Sequence, residues 1–248
     1  MPRTWTAKLW RGLALLLVCA LSLQLAALLR IAAMTVLDPQ STTFQRSEAW
    51  RLLVENQEIL WSQRWVDYAD ISVHLKRAVI ASEDAGFIDH SGIEWEAIEK
   101  AWEKNQRAEA RADRIEKQRP GREVVAKVIG GSTITQQLAK NLLLSSERTV
   151  LRKGQEFVLA LMLEAFLSKQ RILEIYLNNV EWGEGIFGAQ AAARHYFRVD
   201  AAKLGPEQAA RLAVMLPAPK RFEKRPGSAY VVGRAATIVA RMGGVEVP

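Results

Sequence analysis

Residues 130–141 read Gly-Gly-Ser-Thr-Ile-Thr-Gln-Gln-Leu-Ala-Lys-Asn. Paired glycines followed by hydroxyl residues are typical of a helix start, and the pattern predicts a helix over residues 132–144. Free amides at such an N-terminus can bind an anion. Ser132, Gln136 and Lys140 are four residues apart, which predicts that they share one face of the helix. Donors and a cation on one face suit a polyanionic substrate; a capped helix with an ordinary polar side is the alternative that this segment alone leaves open.

The chain on both sides of this segment is predicted to be mainly α-helical. Trp95, Ile98 and Trp102 recur at the spacing of one face of an amphipathic helix. The polar stretch 103–122 predicts either a solvated helix followed by a turn or a mobile flap, and residues 124–129 could form one short strand. Further helices are predicted over residues 149–167, 169–178, 188–197, 206–216 and 230–242. The predicted fold class is therefore mainly α.

A pair of acids closes another predicted helix. Residues 83–92 read Glu-Asp-Ala-Gly-Phe-Ile-Asp-His-Ser-Gly, and Glu83 and Asp84 can project from the helix end into a cleft. Apolar or carboxylate neighbours would raise the pKa of one of them and suit it to proton abstraction. Acid pairs at helix ends are also commonly solvated, so the segment alone leaves both interpretations open.

A third group combines cations with a carboxylate. Arg148 and Arg152 are one helical turn apart, as are Arg152 and Glu156, and Lys153 lies beside them. The spacing predicts a cationic ridge with a carboxylate at its end. A surface ion-paired helix is the ordinary interpretation, but the remainder of this helix is very apolar. A buried helix that keeps such charges is expected to use them.

The composition narrows the classes of protein. A formal net charge of +7 and a pI near 9.7 suit an anionic partner, which could be nucleic acid, acidic lipid or a phosphorylated substrate. Cys19 is the only cysteine, so disulfides within the chain and a cysteine-based metal site are excluded.

Residues 12–29 contain no charge and are long enough to cross a hydrocarbon core as a helix. Basic residues precede this run, which favours a cytoplasmic N-terminus with the chain after about Asp38 outside. A cleaved signal peptide is the alternative, although Ile31-Ala32-Ala33 is a poor cleavage site. The predicted organisation is a cytoplasmic N-terminus and anchor over residues 1–38 and one domain over residues 39–248.

The three motifs, in this order, resemble the signature of the family 51 glycosyltransferases, which polymerise peptidoglycan. Two later segments, residues 169–197 and 207–219, match the same signature. The resemblance spans about residues 70–226 and implies a lysozyme-like helical domain with a small membrane-associated lobe between the first two motifs. Since Ser-x-x-Lys and Lys-Thr-Gly are absent, the chain is most similar to the monofunctional biosynthetic transglycosylases of the family, which have one transmembrane helix.

The resemblance also implies substrates, location and roles. Lipid II and the growing lipid-linked glycan would react at the outer face of the cytoplasmic (inner) membrane, in the periplasm, with other cell-wall synthesis proteins as candidate partners and no nucleic acid. No cofactor is required, although a divalent Mg or Mn ion at the pyrophosphate is one role open to Glu156, the second essential glutamate. Glu83 matches the general base. The expected substrate-binding residues are Asp84, Ser132, Gln136, Gln137, Lys140, Asn141, Arg148, Arg152 and Lys153.

Two other functions remain as alternatives. A lytic enzyme of lysozyme type also uses a carboxylate cleft, but it would not need a cationic ridge for pyrophosphate. A non-catalytic membrane scaffold for wall synthesis is the other; the presence of both Glu83 and Glu156 argues against it.

Overall fold

A computed structural model describes residues 3–118, 131–145, 147 and 149–248, with side chains from residue 7 onward except at 109, 112–114 and 116–118. The predicted strand over 124–129 lies outside these residues. The helices are α1 (Arg3–Ala33), α2 (Thr43–Asn56), α3 (Val73–Glu83), α4 (Trp95–Gln118), α5 (Ile134–Leu143), α6 (Val150–Phe166), α7 (Lys169–Asn179), α8 (Ala189–Phe197), α9 (Pro206–Met215), α10 (Pro219–Phe222) and α11 (Ala229–Met242), with short strands β1 (Ser62–Gln63), β2 (Glu181–Gly183) and β3 (Ile186–Phe187).

The mainly α prediction is confirmed, and the bounds of the later helices follow local chemistry. Thr149, Ser168 and Ser228 accept hydrogen bonds from backbone amides at the starts of α6, α7 and α11. Such caps satisfy amides that have no partner inside the helix. The predicted bounds therefore agree with the observed ones to within one or two residues.

The core is built from apolar faces that meet in two groups. α3 packs between α9 and α11, and α5 packs against α6 and α7. Leu75, Leu138 and Leu159 are almost fully buried within one continuous apolar cluster. Burial of each such side chain contributes about 2 kcal/mol to stability, so these contacts fix how α3, α5 and α6 face one another.

The N-terminal helix is continuous and apolar. α1 runs from Arg3 to Ala33, and its segment Ala7–Ala33 is long and apolar enough to cross a membrane, with none of its most apolar window buried. Only its end enters the core, through Ile31. The C-terminal half also packs on α6. This exposure is compatible with a membrane anchor.

Two features were not predicted from the sequence. Helix α2 follows the anchor and packs on α5; it begins with a capping box in which Thr42 and Gln45 each satisfy the other's backbone amide. The three short strands form one sheet of order β1-β3-β2. Residues 103–122 were predicted to form either a solvated helix or a mobile flap. As far as Gln118 they belong to the continuous helix α4.

Candidate active site

Glu83 lies at the last position of α3, half-buried, where the helix opens onto a cleft. Gln137 Nε2 donates a 3.0 Å hydrogen bond to its Oε2, and Ser82 Oγ lies 3.4 Å from its Oε1. Burial raises the pKa of Glu83, the two hydrogen bonds oppose the rise, and the charge of Asp84 adds to it. The surroundings of Glu83 thus raise its pKa, which suits the carboxyl to proton transfer.

Asp84 has a different environment from its neighbour. It is almost fully buried, and its Oδ2 accepts a 2.9 Å hydrogen bond from the backbone amide of Ile134, the first residue of α5. Its Oδ1 lies 2.9 Å from His90 Nε2. Since His90 Nδ1 accepts from the Gly92 amide, Nε2 carries the proton and donates to Asp84. Asp84 therefore joins the end of α3 to the start of α5.

At the start of this helix the structure agrees with the capped-helix alternative for the backbone amides, and the binding of an anion by the neighbouring side chains stays a prediction. The helix begins at Ile134, so Ser132 precedes it and does not share a helical face with Lys140. Asp84 occupies the Ile134 amide, and the Gln136 amide donates to Thr133 Oγ1. The protein itself thus caps two of the amides that were expected to bind the substrate.

Gln136 also differs from the prediction of an exposed polar face. Its side chain is fully buried, and its Oε1 accepts from the Thr133 amide in a capping box. Among the described residues its Nε2 has no hydrogen-bond partner. The contacts give Gln136 a place in the framework beneath the cleft, whereas Lys140, one turn further on, is exposed.

A cavity of about 300 Å³, called here the cationic cavity, lies between α2, α5 and α6. Three predicted cationic residues, Lys140, Arg152 and Lys153, line it together with the side-chain amides of Gln137 and Asn141. Other lining residues were not predicted from the sequence. The lining residues are Phe44, Ser132, Gln137, Lys140, Asn141, Leu144, Ser145, Glu147, Arg152, Lys153 and Glu156.

Glu156 lies between two cations rather than at the end of a ridge. Arg152 Nη1 donates to its Oε2 at 2.9 Å, and Lys153 Nζ contacts its Oε1. Lys153 Nζ also donates a 3.1 Å hydrogen bond to Ser132 Oγ. Glu156 is almost fully buried. The buried carboxylate therefore holds both cationic groups against one wall of the cavity.

A smaller cavity of about 220 Å³, called here the base cavity, contains Glu83. Another part of its wall comes from Glu94, which directly precedes α4, and from α4 residues such as Lys100; the sequence did not identify either as a site residue. Ser132 lines both cavities. Gln137 lines the cationic cavity and donates to Glu83. Glu83 and the cations are thus connected by Ser132, which lines both cavities, and by Gln137, which lines one and is hydrogen-bonded to Glu83.

The remaining predicted site residues divide into two groups. Asn141 lines the cationic cavity with Lys140, whereas Arg148 lies outside the described residues. His90 stabilises the loop after α3 through its contacts with Asp84 and the Gly92 amide. The signal for Glu94 and Lys100 was weak, because α4 and the residue before it carry many charges and no pattern distinguishes the ones that face the cleft.

The donor sets fit a metal ion poorly. Both oxygens of Glu156 are occupied by Arg152 and Lys153, so an ion there would have to displace a cation. Asp84, His90 and Glu94 offer ligand atoms within 4.8 Å of one another. However, both ring nitrogens of His90 are engaged by hydrogen bonds.

Comparison with known proteins shows the family of this chain. A sequence model described as Transglycosylase matches residues 54–243. A biosynthetic peptidoglycan transglycosylase of Burkholderia thailandensis is 51% identical over 92% of this chain and 83% of its own length. The protein of the same name from Bordetella pertussis is 53% identical over 85% of this chain and 82% of its own length. Because the match covers most of the chain and both motif-bearing cavities, the chain belongs to the transglycosylase family.

Proposed function

We propose that this chain polymerises the glycan strands of peptidoglycan from lipid II at a membrane surface. The observation that carries the proposal is the groove itself, in which Glu83, half-buried and without an ion pair among the described residues, adjoins a cavity lined by Lys140, Arg152 and Lys153. The similar proteins named above support the reaction class through their names. A glycan-cleaving enzyme has no diphosphate to bind and would gain nothing from the cationic cavity.

Glu83 would act as the general base toward the acceptor. Its carboxylate takes the proton of the acceptor sugar's 4-hydroxyl while that oxygen attacks the anomeric carbon of the donor. The bond from this carbon to the diphosphate oxygen breaks, and its electron pair leaves with undecaprenyl diphosphate, so the configuration inverts to a β-1,4 linkage. The raised pKa of Glu83, caused mainly by burial, strengthens it as a base.

The cationic cavity would receive the diphosphate. Negative charge accumulates on the leaving group as its bond to the sugar lengthens, and preorganised cations stabilise it most in the transition state. Arg152 and Lys153 are held in place by Glu156, while Lys140 and Asn141 of α5 line the same cavity. Glu156 would thus position cations rather than transfer a proton, and Ser132 and Gln137 would align the two substrates between the cavities.

The anchor would place this groove beside its substrate. Helix α1 would cross the cytoplasmic (inner) membrane once, with a cytoplasmic N-terminus and residues 39–248 forming the glycosyltransferase domain in the periplasm. The support is the apolar length of α1 and the basic residues that precede it. A reporter fused after residue 248 that is active only in the periplasm would test the orientation.

The test of the proposed function uses purified protein in detergent with labelled lipid II. The parent should form a polymer that a muramidase digests, and Glu83→Gln should form essentially none. Glu99→Gln, an exposed change on α4, is the matched control and should behave as the parent does. Equal polymer from the parent and Glu83→Gln would overturn the assignment of the base, and no polymer from the parent would overturn the function.

A further inference from the structure

A buried tyrosine of α7 lies behind the residue that contacts Glu83. Tyr176 is 1% exposed, and its hydroxyl donates a 2.9 Å hydrogen bond to Oε1 of Gln137. The other end of the same amide, Nε2, donates a 3.0 Å hydrogen bond to Oε2 of Glu83. The three side chains, called here the tyrosine row, therefore form one hydrogen-bonded row from the interior of the protein to the carboxyl at the end of α3.

The tyrosine row fixes which end of the Gln137 amide faces the acid. An ionised carboxylate only accepts hydrogen bonds, so it favours Nε2 of the amide, which donates, over Oε1, which accepts. A hydroxyl can do both, but burial raises the pKa of Tyr176 well above its usual range, with the charges of Glu83 and Asp84 adding to the rise. The hydroxyl therefore keeps its proton, and because it donates to Oε1 it leaves Nε2 turned toward Glu83.

This orientation matters because burial opposes the ionised form of Glu83. Burial raises the pKa of Glu83, and the hydrogen bond from Gln137 is the largest contribution that lowers it. A general base must be ionised when the acceptor's hydroxyl arrives. A reversed amide would point Oε1 at the carboxylate, and the repulsion between the two oxygens would favour the protonated form, which cannot take a proton from the acceptor.

Other charged groups also surround Glu83. Those that share the base cavity with it are Asp84, Glu94, Lys100 and Lys104. Gln137 in turn adjoins the charged residues of the cationic cavity. All of these groups are retained when the tyrosine hydroxyl is removed, so a change in the pKa of Glu83 in such a variant would report on the tyrosine row and not on these charges.

We propose that Tyr176 is a positioning residue for the general base and that it acts by holding the Gln137 amide with its donor end toward Glu83. The proposal rests on the proposed function, because it requires that Glu83 takes the acceptor's proton. Tyr176 lines neither the cationic cavity nor the base cavity, so it acts on the reaction through Gln137. The tyrosine row thus extends the active site into the core, to a residue of α7.

Tyr176→Phe tests the proposal with a small change of shape. The variant keeps the buried ring and loses the hydroxyl that orients the Gln137 amide. The acid limb of the pH–rate profile with lipid II should move to higher pH, and kcat at neutral pH should fall about fivefold, as expected from the loss of one net hydrogen bond. The Kd for undecaprenyl diphosphate should stay within about twofold of the parent, since the cations are untouched. A Kd that weakened as much as kcat fell would indicate general damage to the site and would overturn the proposal.

Tyr196→Phe is the matched control. The hydroxyl of Tyr196 also donates one hydrogen bond, to the carbonyl oxygen of Trp182 at 2.8 Å, and Tyr196 lines neither cavity. Removal of its hydroxyl should leave the acid limb and kcat at the parent values. If both variants moved the limb equally, or if Tyr176→Phe did not move it, the proposal would be wrong while the polymerase function stood. A parent that formed no polymer would refute the proposed function instead.

A double variant determines whether Tyr176 acts through the amide. In the Gln137→Leu background the amide is gone, so Tyr176→Phe should have no further effect on the acid limb, although it moves the limb in the parent background. An equal shift in both backgrounds would contradict the proposal, because the tyrosine would then affect the base by another route.

A stronger donor supplies a test of opposite sign, which also applies if Tyr176→Phe does not fold. Fluorine on the ring makes a tyrosine hydroxyl more acidic and therefore a better hydrogen-bond donor, and polarisation of the amide then strengthens the next hydrogen bond in the row. With 3-fluorotyrosine in place of Tyr176, the acid limb should move to lower pH. An unchanged limb, or a shift to higher pH, would overturn the proposal.

Discussion

Glu83 and Glu156 are the same residue type placed in opposite surroundings on two sides of one groove. Glu83 is held by an amide and lies near a hydroxyl, and among the described residues it makes no ion pair. Glu156 is held by Arg152 and Lys153. Burial raises the pKa of Glu83, whereas Glu156 serves to hold the two cationic side chains in place. Two carboxylates can thus serve different purposes because their neighbours differ.

The largest effect is expected from the substitution that removes the general base, Glu83. Glu83→Gln keeps the shape of the side chain but removes its ability to accept a proton, so kcat should fall by about a hundred- to ten-thousand-fold. Thermal stability should not fall, because the change also removes a desolvated charge. Polymerisation rate and melting temperature, measured on one preparation, check both parts. A variant that lost its activity by unfolding would not support the role.

The second test removes the negative charge of Glu156. Glu156→Gln leaves Arg152 and Lys153 without their shared carboxylate in a partly buried site, which should lower the free energy of unfolding by about 2 kcal/mol. Chemical denaturation would measure the loss, with Glu99→Gln as the exposed control. If Glu156→Gln were as stable as the parent, the ion pairs would not organise this wall of the cavity.

Glu181 shows that burial can raise the pKa of a glutamate that lies outside the site. Glu181 of β2 lies away from the groove, and among the described residues its Oε1 has no hydrogen-bond partner. Lys220 Nζ is 3.6 Å from that oxygen. Burial raises the pKa of Glu181 to about 7; Lys220 opposes the rise and Glu48 adds to it. Glu181 thus has the raised pKa of Glu83 without a place in either cavity.

The sign of its effect on stability follows from linkage. The folded-state pKa is above the unfolded value, so the folded chain binds this proton more tightly, and stability falls as pH rises through the interval up to about 7. Glu181→Gln should therefore stabilise the chain by about 3 kcal/mol at pH 8, with the gain disappearing near pH 4.5. Melting temperatures across this range test it, and a gain that grew toward acid pH would contradict the assignment.

The smallest expected effect sharpens the environment of Glu83. Gln137 donates to its carboxylate and holds its pKa down against burial. Gln137→Leu should therefore raise the pKa further and move the acid limb of the rate profile to higher pH. Ser82→Ala should move the limb in the same direction by less, because its hydrogen bond is the weaker of the two contributions. If the acid limb of the pH–rate profile were unchanged in Gln137→Leu, the pKa of Glu83 would not determine the position of that limb.

The sequence predicted much of this arrangement because its signals are local. Helix periodicity and capping residues located α5 to α9 and α11, and the motif resemblance identified Glu83, Lys153 and Glu156. The faces of these residues depend on where each helix begins. Helix α5 begins at Ile134 and not at Ser132, and the side chain of Gln136 is buried in the core. The motif alone did not reveal this orientation.

The features that sequence reasoning missed depend on contacts between distant segments. Gln24 is hydrogen-bonded to Gln155 across 131 positions, and neither glutamine is unusual in its own segment. Asp84 reaches the amide of Ile134 across 50 positions. Short strands such as β1 lack the length that an alternating pattern requires. These relations arise only when the helices pack.

The most direct test measures turnover and diphosphate binding separately in two variants. Glu83→Gln should lose polymerisation yet bind undecaprenyl diphosphate with a Kd within about twofold of the parent. Lys153→Gln should raise that Kd about tenfold or more, since a charge-assisted hydrogen bond is lost. If Glu83→Gln weakened diphosphate binding as much as Lys153→Gln does, the division of the groove into a base and a cationic cradle would be wrong.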